Sequence, residues 1–544
     1  MRTTLLAIAA ALLAGTAQAT TLITNANGIQ SDDKGAITRF DGFLIGDDGK
    51  VAAVLKKGDP RPAATSVVDV GGQTVLPGLI DAHGHVIGLG QALLSLDLVG
   101  TASLEELKSR LKDYAAANPG SGWLVGRGWN QEMWPVKAFP SSADLDAVVS
   151  DRPVVLYRVD GHALVANSKA LELAGVTAAT QAPSGGRIEN GLFVDAAQAL
   201  IDSKIPEPSE ADLDAALAKA QEAMLKVGLT GAHDMGTGID DWNAMRRAGE
   251  KGTLKVRIFG YAAGLPAWRI INEGAATGWE FNDRLALVGT KLYADGALGS
   301  RGAFLKHPYA DKPDTRGLSL ISVADLTKAA DEVSNGRGQL AIHAIGDAAN
   351  EQVIGVLETI AKKYGGFHRG RIEHLQIADP KDLPRLKPAG IVASMQPTHQ
   401  TSDRTMAEAR LGPNRLGGAY AWASILKLGV PLAFGSDFPV ESPDPFPGLM
   451  AAVSRQDLKG EPPGGWRAQE KLTLGQALHA FTRGAAYAGF TEKVMGAIEP
   501  GKWADFIIVD RDPTAVTPQA LGRTMVLETW VGGEKVFSGS APAR

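Results

Sequence analysis

The chain has 544 residues, of which 44% are apolar and 21% are charged, and its formal net charge at pH 7 is −5. This composition is typical of a globular protein and excludes a largely disordered chain or a fibrous repeat. The chain contains no cysteine, which excludes disulfides, thiolate nucleophiles, thiolate-bound zinc and a lipoprotein anchor. The acidic balance and the lack of a basic stretch argue against nucleic acid as a partner.

Residues 1–19 have the pattern of a secretory signal peptide. Arg2 supplies an early positive charge, an apolar run extends from Leu5 to Leu13, and the segment ends in Ala-Gln-Ala at 17–19. An ordinary N-terminal helix is the alternative. Cleavage at this end predicts export, either to the periplasm or out of the cell. No later apolar run approaches the ~18 residues that a membrane span needs, so we expect the exported chain to be soluble and to have no membrane anchor.

Both ends of the remaining chain are predicted to be β segments. Residues 20–75 contain short strand-like stretches, with a hairpin signal at 47–50, where Asp-Asp-Gly-Lys separates two apolar runs. Residues 491–544 contain the strand-like stretch WADFIIVDRDP and a second hairpin, with Gly532-Gly533 at its bend. These two β segments flank the middle of the chain.

The middle of the chain, residues 76–490, alternates apolar strand-like runs with loops and helical stretches. Eight strand ends are predicted, at residues 76–86, 228–236, 255–263, 286–296, 339–347, 369–378, 391–399 and 431–440. Because parallel strands need helical crossovers, this pattern predicts an α/β fold with a (β/α)₈ TIM barrel. The gap between the first and second strands is too long for one crossover, which predicts an inserted subdomain over about residues 120–220.

Polar side chains with catalytic potential follow several of these predicted strands. In a barrel the C-terminal strand ends meet at one mouth, so residues distant in sequence become neighbours. Each histidine alone has an ordinary interpretation as a core residue, but burying several uncompensated imidazoles together would be costly, which favours a shared metal ion. The chain places at these ends four imidazoles, one lysine and one carboxylate: His83, His85, Lys291, His343, His374 and Asp437.

The sequence His83-Gly84-His85 is the sharpest local signal. Residues two apart on a strand point to the same face, so both imidazoles can bind one metal ion, although two histidines can also share a polar pocket. Asp437 has two interpretations as well. It can be a turn or helix N-cap aspartate, or, beside a metal, the general base that takes a proton from bound water.

Lys291 has two interpretations that the residues alone leave open. Unmodified, it is a buried cation that pairs with Asp295 or another carboxylate. Alternatively its amine has added carbon dioxide, and the resulting carbamate is an anionic oxygen ligand that can bridge two metal ions.

Four further residues are weaker candidates for contact with a substrate. His162 and Trp129 belong to the predicted insertion, His307 follows the fourth strand and His399 ends the seventh. For the histidines we favour a role in supporting the site, since most polar groups near a site do not react. A tryptophan is more often a packing residue, but in a lid it supplies an apolar wall.

Several motifs together resemble the amidohydrolase superfamily of metal-dependent hydrolases. They are DAHGH (81–85), Lys291, IH (342–343), EH (373–374), GSD (435–437) and the closing segment GAIEPGKWADFIIVD (496–510). Three more stretches resemble the branch that includes N-substituted formamide deformylases: KLYADGALGSRGA (291–303), GRGWNQEMWP (126–135) and DGHALVANSKAL (160–171). The resemblance spans essentially all of residues 20–540.

This resemblance implies a distorted TIM barrel beside a small β-sandwich built from both chain ends, 20–75 and 491–544. It also implies that His83 and His85 bind the more buried metal together with Asp437. His343 and His374 would bind a second ion, bridged to the first by the carbamate of Lys291. Zinc is the default for histidine and carboxylate ligands, and the number of ions, one or two, stays open.

The expected reaction is hydrolysis of a carbon–nitrogen bond by metal-activated water, with a linear or N-substituted non-peptide amide as a small-molecule substrate. Two alternatives stay open. The same site suits an ester or lactone hydrolase, and an exported binding protein without catalysis can reuse the barrel, since function depends on the site and not on the fold. The sequence sets neither the individual substrate nor the oligomeric state.

Overall fold

The structure, a computed structural model, describes residues 20–539 apart from 160, 162, 184, 185, 300, 366 and 367, and apart from the side chains at 132, 195 and 405. The predicted signal peptide and His162 therefore lie outside the described residues. The chain forms two compact units. Among the described residues, the first comprises 20–84, 224–237 and 255–539, and the second comprises those within 85–223 and 238–254.

Strands from both chain ends form a β-sandwich in the first unit. They are β1 Thr21–Thr24, β2 Asn27–Ser31, β3 Ile37–Phe40, β4 Gly42–Ile45, β5 Val51–Leu55, β6 Ser66–Asp69, β7 Thr74–Pro77, β24 Phe506–Val509, β25 Val526–Val531 and β26 Glu534–Ser538. One sheet has the order β5-β4-β1-β6 and the other has the order β26-β25-β24-β7-β2-β3. Aromatic rings of both sheets share one core, in which Phe506 lies 5.0 Å from Phe43 and 5.1 Å from Trp530 between ring centroids. This confirms the predicted sandwich of both ends.

Both predicted hairpins are present in these sheets. The turn at 47–50 joins the antiparallel strands β4 and β5. Gly532 and Gly533 join β25 to β26 with φ angles of 63° and 78°, a conformation of two-residue hairpin turns that glycine adopts without a steric penalty.

Eight strands in sequence order form the barrel of the first unit, which confirms the predicted (β/α)₈ fold. They are β8 Leu79–Gly84, β15 Leu229–Thr237, β16 Arg257–Ala263, β17 Leu285–Tyr293, β18 Gln339–Ala344, β19 Arg371–His374, β21 Val392–Met395 and β23 Leu432–Phe434. All neighbouring strands in this sheet are parallel. A parallel bridge between Gly84 and Phe438 joins the first strand to the segment that follows the last. A small antiparallel pair outside the barrel consists of β20 Ile377–Ala378 and β22 Gly418–Ala419.

Helices of the first unit follow the barrel strands along the chain. They are α8 Gly264–Ile271, α9 Val323–Asn335, α10 Asp347–Tyr364, α11 Leu383–Leu386, α12 Pro397–Leu411, α13 Trp422–Lys427, α14 Pro445–Ser454, α15 Leu474–Ala480, α16 Arg483–Ala488 and α17 Pro518–Leu521. In α9, Ser322 caps the N-terminus by accepting from the Asp325 N–H, and buried residues recur every three or four positions from Leu326 to Val333. In the described part of the chain, no helix has both the length and the apolar character that a membrane crossing requires.

The second unit has its own sheet and its own core. The sheet contains β9 Leu96–Asp97, β10 Leu124–Trp129, β11 Val154–Arg158, β12 Ala163–Ala166, β13 Gly186–Glu189 and β14 Leu192–Asp195. The helices are α1 Val86–Leu94, α2 Leu104–Ala117, α3 Ser142–Asp146, α4 Ser168–Ala174, α5 Ala199–Asp202, α6 Glu210–Lys226, which starts in this unit, and α7 Ile239–Glu250. The unit begins at residue 85, well before the insertion predicted over about 120–220. The start is earlier because the side chains of Leu96 and Leu107 pack in the same hydrophobic core as residues of β10.

Trp129 packs inside this second core. Its ring is fully buried, and its Nε1 donates a hydrogen bond of 2.8 Å to the carbonyl of Leu156. Trp134 is buried in the same cluster and donates to the carbonyl of Thr101. Both the apolar faces and the polar edge of Trp129 are thus used in packing within the unit, and contact of this ring with a substrate stays a prediction.

A buried ion pair connects the barrel to the sandwich inside the first unit. Arg257, on β16, donates to both carboxylate oxygens of Asp505, at 2.7 Å from Nε and 2.9 Å from NH2. Asp505 precedes β24 and also accepts from the Gly532 N–H. The guanidinium lies 3.9 Å from the centroid of the Trp503 ring.

Replacing Asp505 with alanine is expected to destabilise the protein by about 3–5 kcal/mol, because it leaves the buried Arg257 cation without its anion. Urea unfolding followed by circular dichroism measures this change. The matched control is Glu332→Ala, which removes an exposed pair with Arg269 and is expected to cost about 0–1 kcal/mol. Equal losses in the two variants would contradict a structural role for the Arg257–Asp505 pair.

Candidate metal centre

Hydrogen bonds at the closure of the barrel bring the first and last strand ends together. The buried carboxylate of Asp81 accepts from the His83 N–H at 2.9 Å, from the Ser436 N–H at 3.0 Å and from the Ser436 hydroxyl at 2.6 Å. The N–H of Asp437 donates to the carbonyl of His83 at 2.6 Å. These bonds leave Nε2 of His83 only 3.5 Å from Oδ1 of Asp437.

Two glycines permit this close approach. A Cβ atom at Gly435 would lie 2.4 Å from Oδ1 of Asp81, and one at Gly84 would lie 2.4 Å from the ring of Phe438. Contacts this short do not occur in folded proteins. Any side chain at Gly84 or Gly435 would therefore separate the two strand ends that carry His83 and Asp437.

His83, His374 and Asp437 form a group that could hold a metal ion. One ligand atom of each residue lies within 4.8 Å of the others, and all three residues are buried. The rings of His83 and His374 are 4.7 Å apart between centroids. Two imidazoles and a carboxylate form a ligand set that suits zinc and other divalent transition metals. The donor chemistry at this barrel mouth therefore fits a divalent cation.

Oxygen acceptors behind both imidazoles fix their orientation. Nδ1 of His83 lies 2.6 Å from Oε2 of Glu373, and Nδ1 of His374 lies 2.8 Å from Oε1 of Gln396. Since these oxygens accept, the ring protons belong on Nδ1, and each Nε2 is left with a lone pair. Lys291 agrees with this assignment, because its Nζ donates to Nε2 of His83 at 3.1 Å.

Glu373 is itself held by a buried arginine. Arg371 donates from Nε to Oε1 at 2.8 Å and from NH2 to Oε2 at 3.2 Å, and it also bonds Ser394 and Tyr261. Arg371 and Glu373 are both fully buried, so each charge offsets the other inside the barrel. The EH motif predicts His374 as a ligand, but it does not predict that the neighbouring Glu373 orients His83. A charged residue within a buried apolar strand was the available signal.

His374 and Asp437 both have left-handed backbone conformations. Their φ angles are 77° and 62°, which are uncommon for residues with a side chain. The strand β19 ends at His374, and its alternation of faces stops there. This break allows the adjacent residues Glu373 and His374 to serve the same centre. Strain of this kind is often found at functional sites.

Lys291 lies beside the group and has no carboxylate partner at ion-pair distance among the described residues. Its Nζ is 3.1 Å from Nε2 of His83 and 4.9 Å from the ring centroid of Tyr293. Burial lowers the pKa of Lys291 to about 8. Asp295, the partner considered from the sequence, instead accepts backbone N–H groups of Phe304, Ile345 and Gly346.

His343 and His85 are the two predicted histidine ligands that are not members of the group of three converging residues. The His343 ring lies 4.6 Å from the His374 ring, but its Nε2 is turned toward Asp295, 3.5 Å from Oδ1. Burial lowers the pKa of His343 to about 4, so this ring is neutral at pH 7. His85 follows the end of β8 and is the N-cap residue of α1, where its carbonyl accepts from the N–H of Leu89.

The two weaker histidine candidates that the structure describes, His399 and His307, differ in their surroundings. His399 is buried, with its ring 5.9 Å from the His374 ring and its Nε2 3.8 Å from Oδ2 of Asp437. His307 is exposed in the loop after β17, and its carbonyl accepts from Arg415. The structure therefore brings His399, but not His307, against a residue of the converging group.

Comparisons with known proteins give a consistent result. The model of the amidohydrolase family matches residues 66–537. The protein YtcJ of Bacillus subtilis (strain 168) is 31% identical over 527 residues, which cover 94% of this chain and 97% of YtcJ. The N-substituted formamide deformylase of Arthrobacter pascens is 27% identical over 511 residues, covering 89% of this chain and 93% of that enzyme.

A solved structure agrees with these relatives. The uncharacterized metal-dependent hydrolase of Pyrococcus horikoshii OT3 superimposes with a TM-score of 0.78 at 29% identity. The superposition covers 92% of this chain and 99% of the other. The similarity therefore extends over both the sandwich and the barrel.

Replacing Glu373 with glutamine is expected to weaken zinc binding by about 10–100-fold, because the acceptor that orients His83 loses its charge. Competition with a fluorescent zinc chelator measures the affinity. Since Arg371 would lose its anion, the double variant Arg371→Met, Glu373→Gln serves as a second probe, and circular dichroism checks the fold of each. Glu492→Gln is the control, because it removes a carboxylate that pairs with Arg369 elsewhere. An unchanged zinc affinity in both Glu373 variants would contradict the assigned orientation.

Proposed function

The chain belongs to the amidohydrolase family, and we propose that it hydrolyses the carbon–nitrogen bond of a small, non-peptide amide. One observation carries the proposal: two oriented imidazoles and a carboxylate converge at the barrel mouth in His83, His374 and Asp437. The resemblance to an enzyme named N-substituted formamide deformylase supports an amide as the substrate class.

The ligand set supports zinc as the cation. When bound, a divalent cation supplies a Lewis acid that lowers the pKa of a water molecule toward neutrality. His83 and His374 would hold it through Nε2, since Glu373 and Gln396 occupy the other ring nitrogens. His85 and His343, predicted as further ligands, would complete one or two ion sites.

Asp437 is the proposed general base and acid of the reaction. Its carboxylate accepts a proton from the attacking water and donates that proton to the leaving nitrogen, so that the carbon–nitrogen bond breaks with a neutral amine as product. The carboxylate lies 3.5 Å from Nε2 of His83 and 3.8 Å from Nε2 of His399. It is thus next to the oriented imidazole of His83 and to the ring of His399.

Lys291 is proposed to carry a carbamate. The neutral amine adds to carbon dioxide and loses a proton, which leaves an anionic oxygen pair in place of a buried cation. Its burial, its lowered pKa and its position against Nε2 of His83 support this modification. An anion at this position would attract a cation, whereas an ammonium would repel it.

Exposed apolar side chains near the ligands support a substrate with an apolar substituent. The Tyr293 ring lies 5.5 Å from the His343 ring and is 47% exposed. Val440 is 65% exposed, and its N–H donates to the carbonyl of Asp437. Apolar walls beside a few polar groups are typical of small-molecule sites.

Replacing Asp437 with asparagine is expected to lower kcat by about 10²–10⁴-fold through loss of proton transfer, with zinc retained by the imidazoles. The assay follows amine release from N-formyl and N-acetyl derivatives of benzylamine, together with the matching benzyl esters. Elemental analysis measures the zinc. Asp457→Asn, which alters an aspartate paired with Arg404, is the control.

Unchanged turnover by the Asp437→Asn variant would remove the proposed role of this carboxylate. Cleavage of the esters alone would replace the amide by an ester as the substrate class. A wild-type protein without zinc and without turnover would favour the binding protein instead.

Residues 1–19 are proposed to direct export to the periplasm or out of the cell, as their charge and apolar pattern suggest. Expression of the full chain in a bacterium, followed by fractionation and mass spectrometry of the N-terminal peptide, is expected to give an exported protein that begins at Thr20. Ile8→Arg, which interrupts the apolar run, is expected to keep the uncleaved chain inside the cell. A wild-type chain that keeps residues 1–19 in the cytoplasm would contradict export.

A further inference from the structure

The start of helix α12 carries buried polar atoms that make no hydrogen bond to any residue that the structure describes. They belong to one short segment: Gln396 Nε2, Thr398 Oγ1, His399 Nε2 and both amide atoms of Gln400. Gln396 is only 3% exposed and His399 only 8%. Buried donors without an acceptor are unfavourable and uncommon in folded proteins. The donors among them, concentrated in one segment, suit a bound group that offers an acceptor oxygen.

The backbone at this helix end adds to the unused donors. Gln396 is the N-cap residue but makes no capping hydrogen bond with its side chain, and Pro397 at the first helical position has no N–H. The first N–H groups of this 15-residue helix therefore belong to Thr398 and His399. The N-terminus of a helix also carries a partial positive charge, which favours an electron-rich oxygen.

These donors lie against the candidate metal centre. Nε2 of His399 is 3.8 Å from Oδ2 of Asp437, and the His399 ring stacks on the His374 ring with an angle of 22° between the planes. The Gln396 amide holds His374 through its oxygen, so its unused nitrogen belongs to the same buried group. The donors thus border two of the three converging ligands.

The chemistry of the donors limits what they bind. Residues 396–400 contain no lysine or arginine, so none of the donors is a permanent cation. Donors of this kind suit an oxygen that is neutral in the substrate and gains negative charge during the reaction.

We propose that the first turn of α12, through Nε2 of His399 and Nε2 of Gln396, binds the carbonyl oxygen of the substrate and stabilises the charge it acquires. This assignment rests on the proposed function. Attack of the water oxygen on the carbonyl carbon moves the π-electron pair onto the carbonyl oxygen, which accepts hydrogen bonds from both groups. When the C=O bond forms again, the C–N bond breaks and the nitrogen takes its proton from Asp437. His399 is accordingly a catalytic residue.

The first test measures binding, and it needs no identified substrate. Methylphosphonate, a tetrahedral oxyanion, is titrated by calorimetry into the zinc-loaded full chain. His399→Phe keeps the ring stack but removes the donor. Gln396→Glu keeps the oxygen that accepts from His374 but removes the amide donor. Each variant is expected to bind methylphosphonate about 10-fold more weakly or worse, with unchanged zinc content and thermal midpoint.

His368→Phe is the matched control, because this histidine packs on Tyr364 away from the ligands, and it is expected to bind the probe like the wild type. Wild-type affinity in the His399→Phe and Gln396→Glu variants would overturn the assignment. So would a wild-type protein that does not bind methylphosphonate.

The second test separates the reacting carbonyl from other substrate groups. For the benzylamide that the wild type hydrolyses fastest, His399→Phe is expected to lower kcat by about 10²–10³-fold with little change in KM. A raised KM with an unchanged kcat would overturn the proposal, because it would mean that His399 binds a part of the substrate that does not react. If the wild type hydrolyses no amide while methylphosphonate binding still depends on His399, the proposed function fails and the oxygen-binding subsite stands.

Discussion

The hydrogen bonds that close the barrel between its first and last strands are the constraint on which the site depends. Asp81 accepts from the backbone of both strand ends, and Asp437 donates to the carbonyl of His83. Ser436 is 355 positions from Asp81 in the chain, so this meeting exists only in the folded barrel. The contact is short because Gly84 and Gly435 have no side chains. Any cation at the barrel mouth would be held by groups whose spacing is set here.

A second layer of buried polar groups fixes the orientation of the two imidazoles that converge at the barrel mouth. Arg371 holds Glu373, and Glu373 holds the Nδ1 atom of His83, while Gln396 does the same for His374. The two acceptors differ, since one is an anion compensated by an arginine and the other is a neutral amide. Gln396 also starts α12, so one residue joins the orientation of a ligand to the helix end with unused donors. In the proposed site, metal binding and substrate binding would therefore be coupled through a single turn of helix.

The sequence predicted the barrel well because the evidence for it is local. Each of the eight strands lies at an apolar run with a polar end, and both hairpins have turn residues that fix them. The role of Glu373 could not be predicted from strand periodicity, because alternation would turn it away from the site that His374 faces. The left-handed conformation of His374 ends that alternation, and the residue type alone does not predict this conformation. Trp129 shows a related limit, since a tryptophan in an insertion fits either a core or a lid until its neighbours are known.

Metal removal and replacement test most directly whether His83, His374 and Asp437 hold a cation that the reaction requires. Purified protein would be dialysed against a strong chelator, its zinc measured by elemental analysis, and its turnover of N-formyl and N-acetyl benzylamine followed as zinc is added back. We expect turnover to disappear with the metal and to return in proportion to the zinc bound. Full turnover in protein shown to contain no metal would contradict it.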